Sequence, residues 1–445
     1  MKRVLMIVYY YPPWGGAGVQ RTVKFAKYLP SFGWEPVVVT PERPLCTLPV
    51  KDETLCEEVA DVKAYYTPTL EPSDIYRLFP RAESGGSGED ESSSGSRLKR
   101  YLAKGIGLSA KKMVKRLFYS ICIPDSQAMW YFLSRNRAVQ IARENHVDAI
   151  YSSSPKPTVN LLAAYVRKKT KLPWLADFRD PWDYQKSMLP GLRCLDRNLE
   201  RTTLENASHV CVVRKSHKER MVQNLPYLFS DDVTVIRNGY DEEDLASAGT
   251  RQFSKFTIVY AGEFYDARLP GPLLKAVRKL RNDFPDIGRD LQLKVVGEPD
   301  RQLFRLCKKY EVSDCVAHEG YKTHEVALSY MKGAHLLYLD TMGNCVPGKT
   351  YEYLAAGPPI LALLKENTEV AQMIREADAG TVVDPSDTSR ASETIARYYR
   401  RYNAGELKNN SRKNPRISRY ERRNQTQRLA GLMDQIIGMP VRDSK

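Results

Sequence analysis

Short β-branched runs alternate with helix-length segments along almost the whole chain, and that alternation constrains the fold more than any other feature. Residues 3–9 (RVLMIVY) are apolar at nearly every position over a length too short for a buried helix. A strand covered by helices on both faces reads this way. The segment 18–32 then places Val19, Val23, Ala26 and Leu29 at helical spacing, and 36–40 (PVVVT) supplies a second buried strand. Further strands are expected at 148–152, 173–177, 209–213 and 233–236. A composition shift at 241–255 (DEEDLASAGTRQFSK) opens a second series, with strands at 256–261, 291–296, 335–339, 359–363 and 381–383. Its helices fit 271–283, 300–310, 323–333, 347–357 and 367–376. Repeated strand–helix units specify parallel α/β architecture. Two doubly wound domains, with ligand at the C-terminal ends of the strands, are the simplest solution.

Composition agrees with this and excludes several classes. A chain of 445 residues accommodates two domains, each with its own core. Hydrophobic residues make up 42% and charged residues 27%, which excludes a disordered or fibrous protein. No apolar run is long enough to span a bilayer. The start, MKRVLMIVYYYPPWGG, runs into a glycine turn without a small-residue cleavage site, and reads as a first strand, not a signal peptide. Eight cysteines are scattered without CxxC pairs or histidines at metal spacing. This argues for a reducing, cytoplasmic setting and against a disulfide framework or a structural metal.

The net charge of +15 is concentrated. Residues 84–96 (SGGSGEDESSSGS) hold no apolar side chain and predict a disordered insertion. Directly after them, 97–119 carries eight basic residues and no acidic one, mixed with Leu98, Tyr101, Ile106, Leu117 and Phe118. The tail 397–423 has ten basic residues against two acidic, so each segment is worth +8. The first pattern suits an interfacial amphipathic segment on an anionic membrane face, and equally a solvated basic helix packed on its own domain.

Four segments carry candidate chemistry. Tyr11-Pro12-Pro13-Trp14-Gly15-Gly16-Ala17-Gly18 turns from the first strand into the first helix, where glycines allow close approach of a ligand to free N–H groups. A tight structural turn explains it equally well. In 151–184, Ser152 to Ser154 lie past one strand end, and Asp177, Arg179 and Asp180 past another. Such a cluster can orient hydroxyls or stabilise charge, or can simply close the strand as an ion-pair network. In VPGKTYEYLAAG (346–357), Lys349 and Glu352 share a face at a helix start. An anion there meets the helix dipole and Lys349, while Glu352 can accept from a diol, a combination that fits a nucleoside diphosphate. In 261–270, Arg268 could reach the same diphosphate, although alone such a residue is more often a solvated loop arginine.

Taken in order, PPWGGAGVQR, VTVIRNGYD, VYAGEFYDAR, VVGEPD, VPGKTYEYLAAGPPI and GTVVDPSD resemble a retaining glycosyltransferase of the GT-B fold, glycosyltransferase family 4-like. SSSP…LPWLADFRDPW is similar to a subgroup found in surface-polysaccharide gene sets. The resemblance implies two Rossmann-like domains facing across a cleft. These are an acceptor-side domain at 1–240 and a donor domain at 255–415, with a helix at 416–438 crossing back to the first. It implies Gly15 and Gly16 near the donor phosphates or acceptor, and Arg268 and Lys349 on the diphosphate. Glu352 matches the second glutamate of the family's E-x7-E motif, which holds the ribose, while Asn344 stands where the first would be. The family's usual histidine past an N-terminal-domain strand is also missing, and Ser154 or Asp180 takes its place as the candidate catalytic residue. The implied partners are a nucleotide-diphosphate sugar and a saccharide or lipid-linked acceptor, with no cofactor, metal or nucleic acid. The six histidines, His146, His209, His217, His318, His324 and His335, read as strand-border, surface or packing residues. The alternatives are a nucleotide-sugar 2-epimerase of the same fold and a non-catalytic basic binding protein.

Overall fold

The computed structural model describes residues 1–42, 52–70, 122–182, 190–262, 270–298, 301–341, 343, 345–407 and 414–438. The insertion at 84–96, the basic block at 97–119, Arg268 and Asn344 lie outside them. The described chain divides into two units, Met1–Ile236 with Thr426–Lys445, and Arg237–Gln425.

The first unit holds seven strands: β1 (Lys2–Val8), β2 (Trp34–Pro41), β3 (Lys63–Thr67), β4 (Ala149–Ser153), β5 (Trp174–Phe178), β6 (His209–Val212) and β7 (Val233–Val235). They pair in parallel in the order β3-β2-β1-β4-β5-β6-β7. The second unit holds β8 (Phe256–Ala261), β9 (Leu291–Val296), β10 (Val316–Gly320), β11 (Leu336–Asp340), β12 (Ile360–Leu363) and β13 (Gly380–Val383). Their order is β10-β9-β8-β11-β12-β13, also parallel. Both sheets grow outward from a central strand and then restart on its other side, so each has a switch point, at β1/β4 and at β8/β11.

Burial explains why these runs are strands. Val4 to Val8 are wholly buried. In the second sheet Phe256, Ile258 and Tyr260 enter one apolar cluster, while Val259 and Ala261 enter another. Alternate residues of β8 thus face two separate layers, and the sheet is covered on both sides. Two strands, β3 and β10, were not expected. KAYYT and VAHEG are half-exposed at the sheet edges, and edge strands lack the continuous apolar run that marks their central neighbours.

The terminal helix Arg422–Ile437 reaches Gln425 in the second unit and continues in the first from Thr426. Leu429, Met433 and Ile436, at helical spacing, join the first unit's core. Asp434 accepts from Lys2 Nζ (2.5 Å) and from Trp34 Nε1 (3.1 Å).

One ion pair fixes the β1/β4 edge. Arg21, on the Ala17–Tyr28 helix, donates Nε to Asp177 Oδ2 (2.8 Å) and Nη2 to Oδ1 (2.9 Å), and both side chains are buried. Tyr151 (2.7 Å) and Ser153 (2.9 Å) also donate to Asp177, and Arg21 Nη2 reaches the carbonyl of Ile236 (3.0 Å). Burial alone would lower the Arg21 guanidinium's pKa, but the Asp177 charge holds it above its ordinary value. Asp177→Asn leaves Arg21 as an uncompensated buried cation, so a loss of about 3–5 kcal/mol is expected in urea unfolding. Replacing both residues with apolar ones should recover much of that loss, and an Asp177→Asn protein with an unchanged midpoint would remove the pair from this role.

Candidate functional site

The first group of candidates lies at the β1/β4 switch point. After β1 the chain turns through Gly16, which precedes the Ala17–Tyr28 helix with φ of 100°, a conformation open to glycine. No side chain among the described residues caps that helix start. Gly15 is buried and Gly16 exposed. Past β4, Ser154 is buried, and its Oγ accepts the backbone N–H of Arg179 at 3.1 Å. Arg179 Nη1 in turn donates to the Gly18 carbonyl (2.6 Å), which ties the glycine turn to the end of β5. Burial and the nearby charge of Arg21 hold the Arg179 guanidinium below its ordinary value. Asp180, one residue on, is exposed. The structure therefore brings Gly16–Gly18, Ser154 and Arg179 together. Asp177, which the sequence grouped with Arg179 and Asp180, is instead the saturated partner of Arg21.

His217 sits in the Lys215–Asn224 helix that follows β6. It is buried, and Nδ1 has no hydrogen-bond partner among the described residues. Burial first, then the charges of Arg214 and Arg220, push its imidazole down to about 4.

The second group lies at the β8/β11 switch point. The Gly348–Ala356 helix follows β11, begins after Pro347, and has no side-chain cap among the described residues. The positive end of its dipole favours an anion there. Lys349 Nζ lies 3.4 Å from the Tyr260 ring centroid, folded back over the end of β8. Next to it, Gly262 has φ of +131°, and a Cβ there would sit 3.3 Å from Lys349 Nζ. Glycine thus keeps the space that the ammonium occupies. Tyr353, one turn along, accepts the Ala261 N–H on its hydroxyl (2.8 Å) and locks the helix to β8. Thr350 Oγ1, on the first turn, is buried without a partner among the described residues.

Glu352 Oε1 accepts from His324 Nε2 at 2.9 Å. Burial pushes the Glu352 carboxyl up, but the His324 hydrogen bond and the charges of His324, Arg422 and Lys349 outweigh it and hold it below its usual value. It stays ionised and able to accept hydrogen bonds from hydroxyls. Lys349 and Glu352 are thus both at the edge where the sequence placed them.

Two residues here were missed. His324, expected as surface or packing, opens the His324–Gly333 helix after β10 and bonds Glu352, and Asp244 Oδ2 lies 3.6 Å from its other ring nitrogen. The available signal was the position of His324 just past Thr323, at the start of the expected 323–333 helix. His335, by contrast, is structural: it accepts the Thr257 N–H (2.9 Å) and stacks on Phe256. Among the described residues no cluster of three or more His, Cys, Asp or Glu is arranged to hold a metal ion.

Residues 101–244 match the family model described as Glycosyltransferase Family 4, and residues 242–416 match the one described as Glycosyl transferases group 1. A comparison with the curated proteins finds no match. Similar solved structures include a glycosyltransferase from Rickettsia africae ESF-5, with TM-score 0.63 and 13% identity over 99% of each chain. Anabaena Alr3699/HepE, in complex with UDP and glucose, has TM-score 0.60 and 12% identity over 98% of this chain and 100% of that one. A Listeria monocytogenes protein assigned as a UDP-N-acetylglucosamine 2-epimerase has TM-score 0.55 and 11% identity over 100% of both. At such identities these structures speak to the fold.

The buried His217 gives this edge a pH signature. Below the ordinary histidine range the unfolded chain binds a proton that the folded chain refuses until about pH 4. Stability should therefore fall as pH drops from about 6.5 toward 4, by on the order of 3 kcal/mol. His217→Gln should flatten that part of the curve, read as unfolding midpoints against pH. A variant with the same slope as the parent would show that the loss arises elsewhere.

Proposed function

We propose, from the matches of residues 101–244 and 242–416 to two glycosyltransferase family models, that the chain is a glycosyltransferase of the GT-B type which moves a sugar from a nucleotide-diphosphate donor to a saccharide or lipid-linked acceptor. The reaction proceeds with retention and without a metal ion, and serves polysaccharide or glycoconjugate biosynthesis. The observation that carries this reading is the β8/β11 edge. There an uncapped helix start, the ammonium of Lys349 and the ionised Glu352 are set where a diphosphate and a ribose diol would both be met. Alr3699/HepE, which shares the fold, is in complex with UDP and glucose.

The chemistry follows from where charge develops. Cleavage of the sugar–phosphate bond leaves growing negative charge on the diphosphate and oxocarbenium character on the sugar. Lys349 and the helix start stabilise the first in place of water, and Arg268 joins them in the resemblance. Glu352 holds the ribose and so fixes the donor's register. In a retaining transfer the departing phosphate can take the acceptor's proton, so no strong protein base is required. At the other edge Asp180 is exposed past β5, whereas Ser154 is already engaged with Arg179. Asp180 is therefore the better placed of the two to orient an acceptor hydroxyl.

His324 between two carboxylates is the observation that favours a second reading, nucleotide-sugar 2-epimerisation. Labelled nucleotide-sugars incubated with and without saccharide and lipid acceptors separate the two. Transfer or slow hydrolysis is expected, resistant to a chelator, while epimerised donor without acceptor would replace this reading with the second. Lys349→Ala should lower kcat/KM by about 10²–10³-fold if it meets charge that forms in the transition state. An effect confined to KM would place it in ground-state binding.

The membrane part of the reading places the enzyme on the cytoplasmic face, held by the 97–119 block. No helix among the described residues is long and apolar enough to cross a membrane. Co-sedimentation with vesicles should rise with anionic lipid content and fall with salt. Binding indifferent to both would count against it.

A further inference from the structure

Glu352 does not stand alone at its edge. His324 Nε2 donates to Glu352 Oε1 at 2.9 Å, and His324 Nδ1 lies 3.6 Å from Asp244 Oδ2, within ion-pair range. The three side chains are 22%, 31% and 19% exposed for Glu352, His324 and Asp244, so water competes only in part. A neutral imidazole carries one N–H. With that proton on Nε2, the Nδ1 lone pair would face the Asp244 carboxylate. Only the imidazolium presents an N–H to each carboxylate, so the row Asp244, His324, Glu352 is arranged for a cation between two anions.

We infer that His324, steadied by Asp244, is a positioning residue. It fixes the Glu352 carboxylate for the ribose hydroxyls of a nucleoside diphosphate and supplies the charge that lets a carboxylate stand beside that anion. This rests on the reading of Glu352 as the ribose-binding group. The physical need is specific. An ionised glutamate close to a diphosphate repels it, and a glutamate that protonates to escape that repulsion loses one of its acceptor sites. A cation hydrogen-bonded behind it removes both difficulties. The elements packed on the His324–Gly333 helix bring Glu242, Glu243 and Asp244 from the Glu242–Ser247 helix, Lys349 and Glu352 from the Gly348–Ala356 helix, and Tyr260 from β8. Lys322 and Glu325 flank His324 on its own segment, and Arg422 acts on Glu352.

The test measures the ribose increment: the affinity of the tightest of uridine, guanosine and adenosine diphosphates divided by that of its 2′,3′-dideoxy counterpart, by calorimetry. For the parent protein an increment of about tenfold is expected, the size of a hydrogen bond to a charged group. It should decline as pH rises and the imidazolium loses its proton. Glu352→Gln should bring the increment close to unity. His324→Ala should do the same and also weaken the dideoxy nucleotide, because its diphosphate then meets a Glu352 without its cation. His324→Gln, closer in size and able to donate one hydrogen bond, should keep part of the increment and lose its pH dependence. Asp244→Asn should shift the decline to lower pH. If the His324 variants keep the full increment and its pH profile while Glu352→Gln loses it, the positioning role is wrong and the reading of Glu352 stands. If Glu352→Gln keeps it, or if the parent binds none of the nucleotides, that reading falls and this inference with it.

Discussion

Every strand of both sheets runs parallel to its neighbours, and a parallel sheet covered on two faces leaves little room for charge in the middle of its central strands. Charged groups collect instead where strands end and helices begin. Strand order then decides which of those ends are neighbours. Because each sheet starts at a central strand and restarts on its other side, the turns after β1 and β4, and after β8 and β11, are the adjacent pairs that part to opposite faces. The candidate residues fall at these two edges because the fold permits them almost nowhere else.

The two edges use this geometry in opposite ways. At the first, Asp177 accepts twice from Arg21 and once each from Tyr151 and Ser153, and it is wholly buried. A carboxylate so engaged holds the glycine turn and two strand ends in place, and has nothing left for a substrate. At the second, the Lys349 ammonium rests over an aromatic face, a contact that a diphosphate's full charge exceeds. Glu352 keeps acceptor positions beyond its bond to His324. The saturated carboxylate builds the scaffold, and Glu352 is the carboxylate left with acceptor positions.

The strands and helices around each switch point were legible because doubly covered strands leave an unbroken apolar signature, as in RVLMIVY and FTIVYA. The edge strands β3 and β10 were not, since half-exposed strands dilute that signature with Lys63, His318 and Glu319. Lys349 and Glu352 could be found because one helical turn joins them. The pairing of Arg21 with Asp177 spans 156 positions, and that of His324 with Glu352 spans 28. No local pattern predicts such contacts: the fold makes them neighbours after the chain has closed. The same holds for Asp177 itself, whose sequence neighbour Arg179 turns away to the Gly18 carbonyl.

The basic tail shows how far charge arithmetic can mislead without contacts. Its excess over 397–423 looks like a free electrostatic surface. Yet Arg416 donates to the Glu376 carbonyl (2.7 Å) and Arg419 to the Glu376 carboxylate (2.5 Å), at the C-terminus of the Glu369–Glu376 helix, where cations offset the helix dipole. Arg397 donates to Thr381 (3.0 Å), and Arg422 helps hold Glu352 ionised. Part of this charge is therefore spent inside the second unit, on a helix end and on the candidate site. The sequence leaves 97–119 as the one block whose eight cations follow each other without an acidic residue, and the proposal of an anionic partner rests on that block.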